Sequence, residues 1–115
     1  MIHIMDGDWQ VYDVPTQIDC NKIYSWVKLK NIEPISINID DIGHKATNKI
    51  ETRDSRYRQA DINLPGIVVK GMKNPADKPY RMIDGRHRLL KAKNSGRSYM
   101  KVYVMIEEQV LKFIS

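Results

Sequence analysis

The sequence holds a single cysteine, Cys20, and a single phenylalanine, Phe113. A lone cysteine forms no internal disulfide, and no Cys/His cluster has the spacing of a zinc site, so neither a cross-link nor a structural metal is expected to hold the fold. Long apolar runs are also missing. None approaches the ~20 residues that span a bilayer, and Asp6 interrupts the first apolar stretch too early for a signal peptide. The expectation is a cytoplasmic protein in a reducing compartment with no membrane partner. Six glycines and five prolines in 115 residues are too few for a collagen-like or low-complexity chain, and no internal repeat is visible. What is present is a 42% hydrophobic, 29% charged composition, enough for one modest core. One compact domain is predicted.

Charge is unequal in sign. Nineteen basic residues face fourteen acidic ones, a formal charge of +5. Clustered positive charge favours encounters with phosphate-bearing partners. Arg53, Arg56 and Arg58 form one cluster, Arg81, Arg86 and Arg88 a second, and Lys91, Lys93, Arg97 and Lys101 follow. Charge alone fits a solvated basic surface equally well, so position must decide.

Periodicity predicts an α+β fold, a small mixed sheet with flanking helices. Ile2-His3-Ile4 and Trp9 to Val14 alternate around the turn-forming Asp6-Gly7-Asp8 and read as a hairpin that Pro15 ends. Asp19 is suited to cap a helix over about 20–30, in which Ile23, Trp26, Val27 and Lys30 recur at helical intervals. Ile35 to Asp40 alternates as a half-buried strand after Pro34. The polar stretch 43–52 reads as an exposed loop, and 53–62 as a short helix with Asp54 or Ser55 as its cap. Ile67-Val68-Val69-Lys70 and Tyr80-Arg81-Met82-Ile83 read as two strands of a hairpin, joined through Asn74-Pro75 and Pro79. A helix over 86–95 is expected to bury Leu89, Leu90 and Ala92 and to end at Gly96. Residues 99–105 read as a strand and 107–113 as a final helix. The predicted organisation is a hairpin and helix extension (1–34), a core (35–106) and a C-terminal helix (107–115).

The most informative stretch is Asp84-Gly85-Arg86-His87-Arg88, where a strand gives way to a helix. Glycine permits a tight turn that a Cβ would strain. The first amides of the helix, on Arg86, His87 and Arg88, lack intrahelical acceptors, and the helix dipole adds positive character at the same end. A phosphate meets that need. Arg86 and Arg88 supply permanent charge with forked donors, and His87 a further donor. The plainer alternative is that Asp84 caps the helix, Gly85 turns the chain and Arg-His-Arg is solvated. Cations in a first turn run against the dipole, a mismatch that a bound anion relieves.

With these residues in view, Ile35 through Met105 resembles the superfamily of partition-protein ParB N-terminal domains and sulfiredoxins, which includes ParB-like nuclease domains. The resemblance covers about 70 residues. It rests on the Pro34-Ile35-Ser36-Ile37 opening, an Arg-bearing segment, Pro65-Gly66-Ile67-Val68-Val69, and Tyr80 through Ala92. Its most specific part, Asp84 to Arg88, is similar to an Asp-Gly-His-His-Arg or Gly-Cys-His-Arg signature that opens a phosphate-binding helix. The resemblance implies a nucleotide cofactor: CTP as in partition proteins, ATP as in sulfiredoxins, or an adenine nucleotide as in free-serine kinases. Arg86 stands where sulfiredoxins need cysteine, which argues against peroxiredoxin repair. The Gly-Glu-Arg-Arg box of partition proteins lacks its glutamate here, and the length leaves no room for their helix-turn-helix domain, so full chromosome partition is not expected. No catalytic carboxylate of the kinases can be placed.

Further candidates follow from residue type. The resemblance implies a second ligand-facing segment at Arg53 and Arg56, whose i, i+3 spacing puts them on one helical face; a solvated helix pairing with Asp54 and Asp61 is the alternative. Asp40, Asp41 and Glu51 are candidates to hold Mg²⁺ against a nucleotide, His44 is a candidate general base, and Tyr57 a candidate to stack on a base. Met72, Met82, Met100 and Met105 read as core filler. Three functions stand open: a nucleotide-binding domain with hydrolase or phosphotransferase activity, a nucleic-acid-binding or nuclease module, and a non-enzymatic interaction protein of mobile-element or viral origin. The sequence does not fix the oligomeric state.

Overall fold

A computed structural model describes residues 2–4, 17–43, 53, 55–71 and 78–114. The hydrophobic runs set the frame. Ile2–Ile4 (β1) pairs antiparallel with Gln17–Asp19 (β2), the segment just before the first helix. The expected partner at 9–14 lies outside the described residues. Asp19 then caps Cys20–Leu29 (α1), its carboxylate accepting from the Lys22 amide, as the sequence predicts. Asn31 ends this helix in the left-handed region.

Among the described residues, five strands form a mixed sheet: Ile35–Asn38 (β3), Ile42–Gly43 (β4), Gly66–Lys70 (β5), Tyr80–Asp84 (β6) and Tyr99–Ile106 (β7). Their order is β3-β7-β5-β6-β4. β5 and β6 make the expected antiparallel hairpin, while β5 runs parallel to β7 and β4 parallel to β6. The central β5 is buried from Gly66 to Val69, which is why its apolar run is continuous rather than alternating. Ser55–Gln59 (α2), Arg86–Asn94 (α3) and Glu107–Val110 (α4) are the other helices among the described residues, with a 3-10 turn at Leu111–Phe113.

Side chains alternate between two apolar clusters, one on each face of the sheet. On one face Ile67, Val69, Ile83 and Met105 pack against Ile23 and Val27 of α1 and Val110 of α4. On the other, Val68, Met82, Met100 and Val102 pack against Leu89 and Ala92 of α3. Met82, Met100 and Met105 are core residues, as predicted, while Met72 lies outside the described residues. Leu90 departs from expectation and is only partly buried. Leu89 and Ala92 lie three apart on the face toward the sheet, and Leu90 is turned away by one helical step. Arg81, counted with the basic clusters in the sequence, is instead buried in β6, with 4% exposure. Among the described residues, no helix is long and apolar enough to cross a membrane.

Candidate functional site

The site is assembled where β6 ends and α3 begins. Between Ile67 and Val68 the β5/β6 register slips: Ile67 pairs with Asp84 while Val68 pairs with Met82. Ile83 is therefore the extra residue of a bulge, a device that re-aims the side chain after it. Asp84, 8% exposed, is brought to Tyr24 of α1, whose hydroxyl donates to its Oδ2. Asp84 thus ends a strand and does not cap the helix.

Gly85 occupies the N-cap position of α3 with φ +106°, and no side chain caps the helix. The left-handed conformation explains the glycine. Space demands a second one: a Cβ on Gly66 would lie 2.7 Å from the Asp84 carbonyl oxygen, and one on Gly85 3.2 Å from the Gly66 Cα. The Pro65-Gly66 and Asp84-Gly85 segments therefore meet backbone to backbone. The Leu89 amide donates to the Gly85 carbonyl at 2.9 Å, the first bond of the helix, so the amides of Arg86, His87 and Arg88 precede the regular ladder. The first turn carries no acidic residue.

The three cationic or imidazole side chains of this turn are not equivalent. Arg88 turns back into the protein: one terminal nitrogen donates to the Pro65 carbonyl at 2.7 Å, and the other lies 3.6 Å from Asp84 Oδ2. The Tyr24 hydroxyl also lies 3.4 Å from the Pro65 oxygen. Burial first, and then the Asp84 carboxylate, push the Tyr24 phenol well above its ordinary value, with Arg88 opposing, so it stays protonated. Arg86 is half-buried and, among the described residues, its side chain has no hydrogen-bond or ion-pair partner. His87 is half-buried and engaged in an interaction of its own.

Arg53 and Arg56 are exposed, and α2 docks beside the later turns of α3. Lys91 Nζ donates to the Arg58 and Ala60 carbonyls at 2.7 and 3.0 Å, and Asn94 donates to the Tyr57 hydroxyl at 3.0 Å. Tyr57 is therefore tied to α3. Arg97 similarly reaches Asn63 at 3.3 Å. Asp40 and Asp41 are exposed on the 3-10 turn Ile39–Asp41, which leads into β4. β4 pairs with the start of β6, Ile42 opposite Tyr80, and the Ile39 amide donates to Ser98 beyond the end of α3. These carboxylates thus sit at the far end of β6 from Asp84, on the order of 13 Å along the strand. They do not join the first turn of α3 as Mg²⁺ holders. His44, Glu51 and Asp54 lie outside the described residues. No group of three or more His, Cys, Asp or Glu gathers among the described residues. Tyr24 is the participant that sequence reasoning missed, because the periodicity of α1 registers only its apolar face.

In comparisons with known proteins, no protein-family model and no curated protein matches the chain. Among solved structures, the chain is similar to sulfiredoxin from Arabidopsis thaliana, with TM-score 0.47 and 14% identity over 70% of this chain and 94% of that one. It is also similar to the C-terminally truncated chromosome-partitioning protein ParB from Caulobacter crescentus complexed with CTP-gamma-S, with TM-score 0.46 and 13% identity. That match covers 68% of this chain and 47% of that one.

Proposed function

We propose that this chain binds a nucleotide through its phosphates at the start of α3. The amides of Arg86, His87 and Arg88 face the anion, and the Arg86 guanidinium supplies the neighbouring charge. One observation carries the reading: a nine-residue helix starts on a left-handed glycine with no capping side chain and no acid in its first turn, beside a half-buried arginine. An empty helix start of this kind leaves donors and a dipole unmatched. A phosphate matches both.

Among the described residues the site has no carboxylate to spare for proton transfer, since Asp84 is committed to Tyr24 and Arg88. The proposal is accordingly one of binding, with hydrolysis or phosphoryl transfer as a separate readout. Calorimetric titration with ATP, ADP, CTP and GTP, with and without Mg²⁺, tests it, together with an assay for released phosphate. The panel spans the nucleotides implied by the sequence resemblance. Binding of at least one nucleotide is expected, weakened about tenfold or more in Arg86→Ala. Heat flat at millimolar ligand for all four contradicts it.

A second reading, contact with a nucleic-acid backbone, is favoured by one feature: α3 contains no acidic residue along its length, and exposed Arg97 and Lys101 follow it. It is weakened by the internal bonds of Arg88, Lys91 and Arg97.

A further inference from the structure

Tyr24, the Pro65 carbonyl and the Asp84–Arg88 pair come from three separate places in the chain, and they meet at one end of the sheet. α1 and α3 cover opposite faces of that sheet, one packing on Ile67, Val69 and Ile83, the other on Val68 and Met82. Between the two layers lies a continuous polar chain. The Tyr24 hydroxyl donates to Asp84, the Arg88 guanidinium lies 3.6 Å from the same oxygen, and its other terminal nitrogen donates to Pro65 at 2.7 Å. Neither charge is isolated. No buried side-chain nitrogen or oxygen among the described residues lacks a partner.

We infer that Tyr24, Asp84 and Arg88 form a clamp that holds the 64–66 turn against the start of α3, and that Arg88 is a positioning residue which acts on the ligand through that turn rather than by touching phosphate. The inference rests on the phosphate reading above for its ligand and on the hydrogen bonds alone for the clamp. Electrostatics point the same way. The Arg88 charge is compensated by a carboxylate nearly excluded from water, so little of it remains to attract an anion, whereas Arg86 has no such counter-charge among the described residues. Geometry adds the mechanism. Gly66 and Gly85 approach so closely that any shift of residues 64–66 moves the α3 amides with it. α1 thereby reaches the anion site through one hydroxyl group.

The test compares Tyr24→Phe, Arg88→Lys, the double variant and Arg86→Ala. Two readouts are taken on the full chain: affinity for inorganic tripolyphosphate, and amide hydrogen exchange at residues 66 and 89, the latter bonded to the Gly85 carbonyl. Tyr24→Phe and Arg88→Lys should both accelerate exchange at these amides and both weaken tripolyphosphate binding several-fold. The double variant should be little worse than the poorer single one, because the two groups act in one network. Arg86→Ala should weaken binding about tenfold or more with exchange unchanged. The clamp is overturned if Arg88→Lys weakens binding while exchange stays at the wild-type rate and Tyr24→Phe binds normally, which would make Arg88 a direct ligand. If wild-type protein binds neither tripolyphosphate nor any nucleotide, the phosphate reading fails. Exchange still decides the clamp in that case: faster exchange that is non-additive in the double variant supports it, and unchanged or additive exchange overturns it.

Discussion

Two residues at the site make opposite demands on their surroundings. Tyr24 must keep its proton to donate to Asp84, and a phenol whose ionisation is pushed upward by the fold contributes stability at neutral pH that is lost as pH climbs above its ordinary value of 10.0. Wild-type protein should therefore melt higher than Tyr24→Phe at neutral pH, with the gap closing as pH rises beyond about 10. Thermal melts of the pair across that range check the sign; a gap that widens with pH would count against the bond. Gly66 must have no side chain. A Cβ there would stand 2.7 Å from the Asp84 carbonyl oxygen, so the backbone has to move. Gly66→Ala should lower stability by roughly 1–3 kcal/mol and also weaken anion binding, as urea melts and titration would show. The glycines of Asp84-Gly85 and Pro65-Gly66 are plain in the sequence, but their meeting is not. It depends on the bulge at Ile83, which the pattern Tyr-Arg-Met-Ile-Asp does not announce. The turning inward of Arg88 was equally hidden, because its closest acceptor is a backbone carbonyl, and every residue has one.

At the level of elements, α3 is held at its middle by Leu89 and Ala92 and left electrostatically unfinished at its start. An acidic residue in that first turn would suit the dipole by about 0.3–1 kcal/mol. Arg86→Glu should accordingly leave stability equal or slightly higher while abolishing nucleotide binding. Stability and affinity moving in opposite directions mark a site reserved for a ligand. A fall in both would show that Arg86 has a structural task instead. The positions of β3, β5, β6, β7, α1 and α3 were legible because each carries either strict alternation, a β-branched run or a cap and stop. β1 was legible as a strand, but its pairing with β2 was not, since β2 lies beyond Pro15 and no turn signal points from one to the other. The docking of α2 on Lys91 and Asn94 could not be read either, because a lysine reaching backbone carbonyls leaves no pattern.

For the whole molecule, the net charge of +5 is less available than it looks. Arg81 is buried, Arg88 faces Asp84, and Lys91 and Arg97 bind the 58–63 segment. Nucleotide binding should therefore survive moderate salt and exceed oligonucleotide binding. A nucleic-acid groove would behave otherwise, losing affinity by about a thousandfold over an about fourfold rise in salt. Fluorescence anisotropy with labelled nucleotide and labelled single- and double-stranded oligonucleotides separates the two. Oligonucleotide affinity that is both stronger and steeply salt-dependent would reverse the ranking of the two functions.

The central claim concerns three amides, and backbone nuclear magnetic resonance observes them directly. Titrating ATP or CTP into isotope-labelled protein should shift the Arg86, His87 and Arg88 amide signals saturably, with Gly85 following and the far end of β6 near Tyr80 unmoved. Saturable shifts confined to other surfaces, or none at all, would contradict the account.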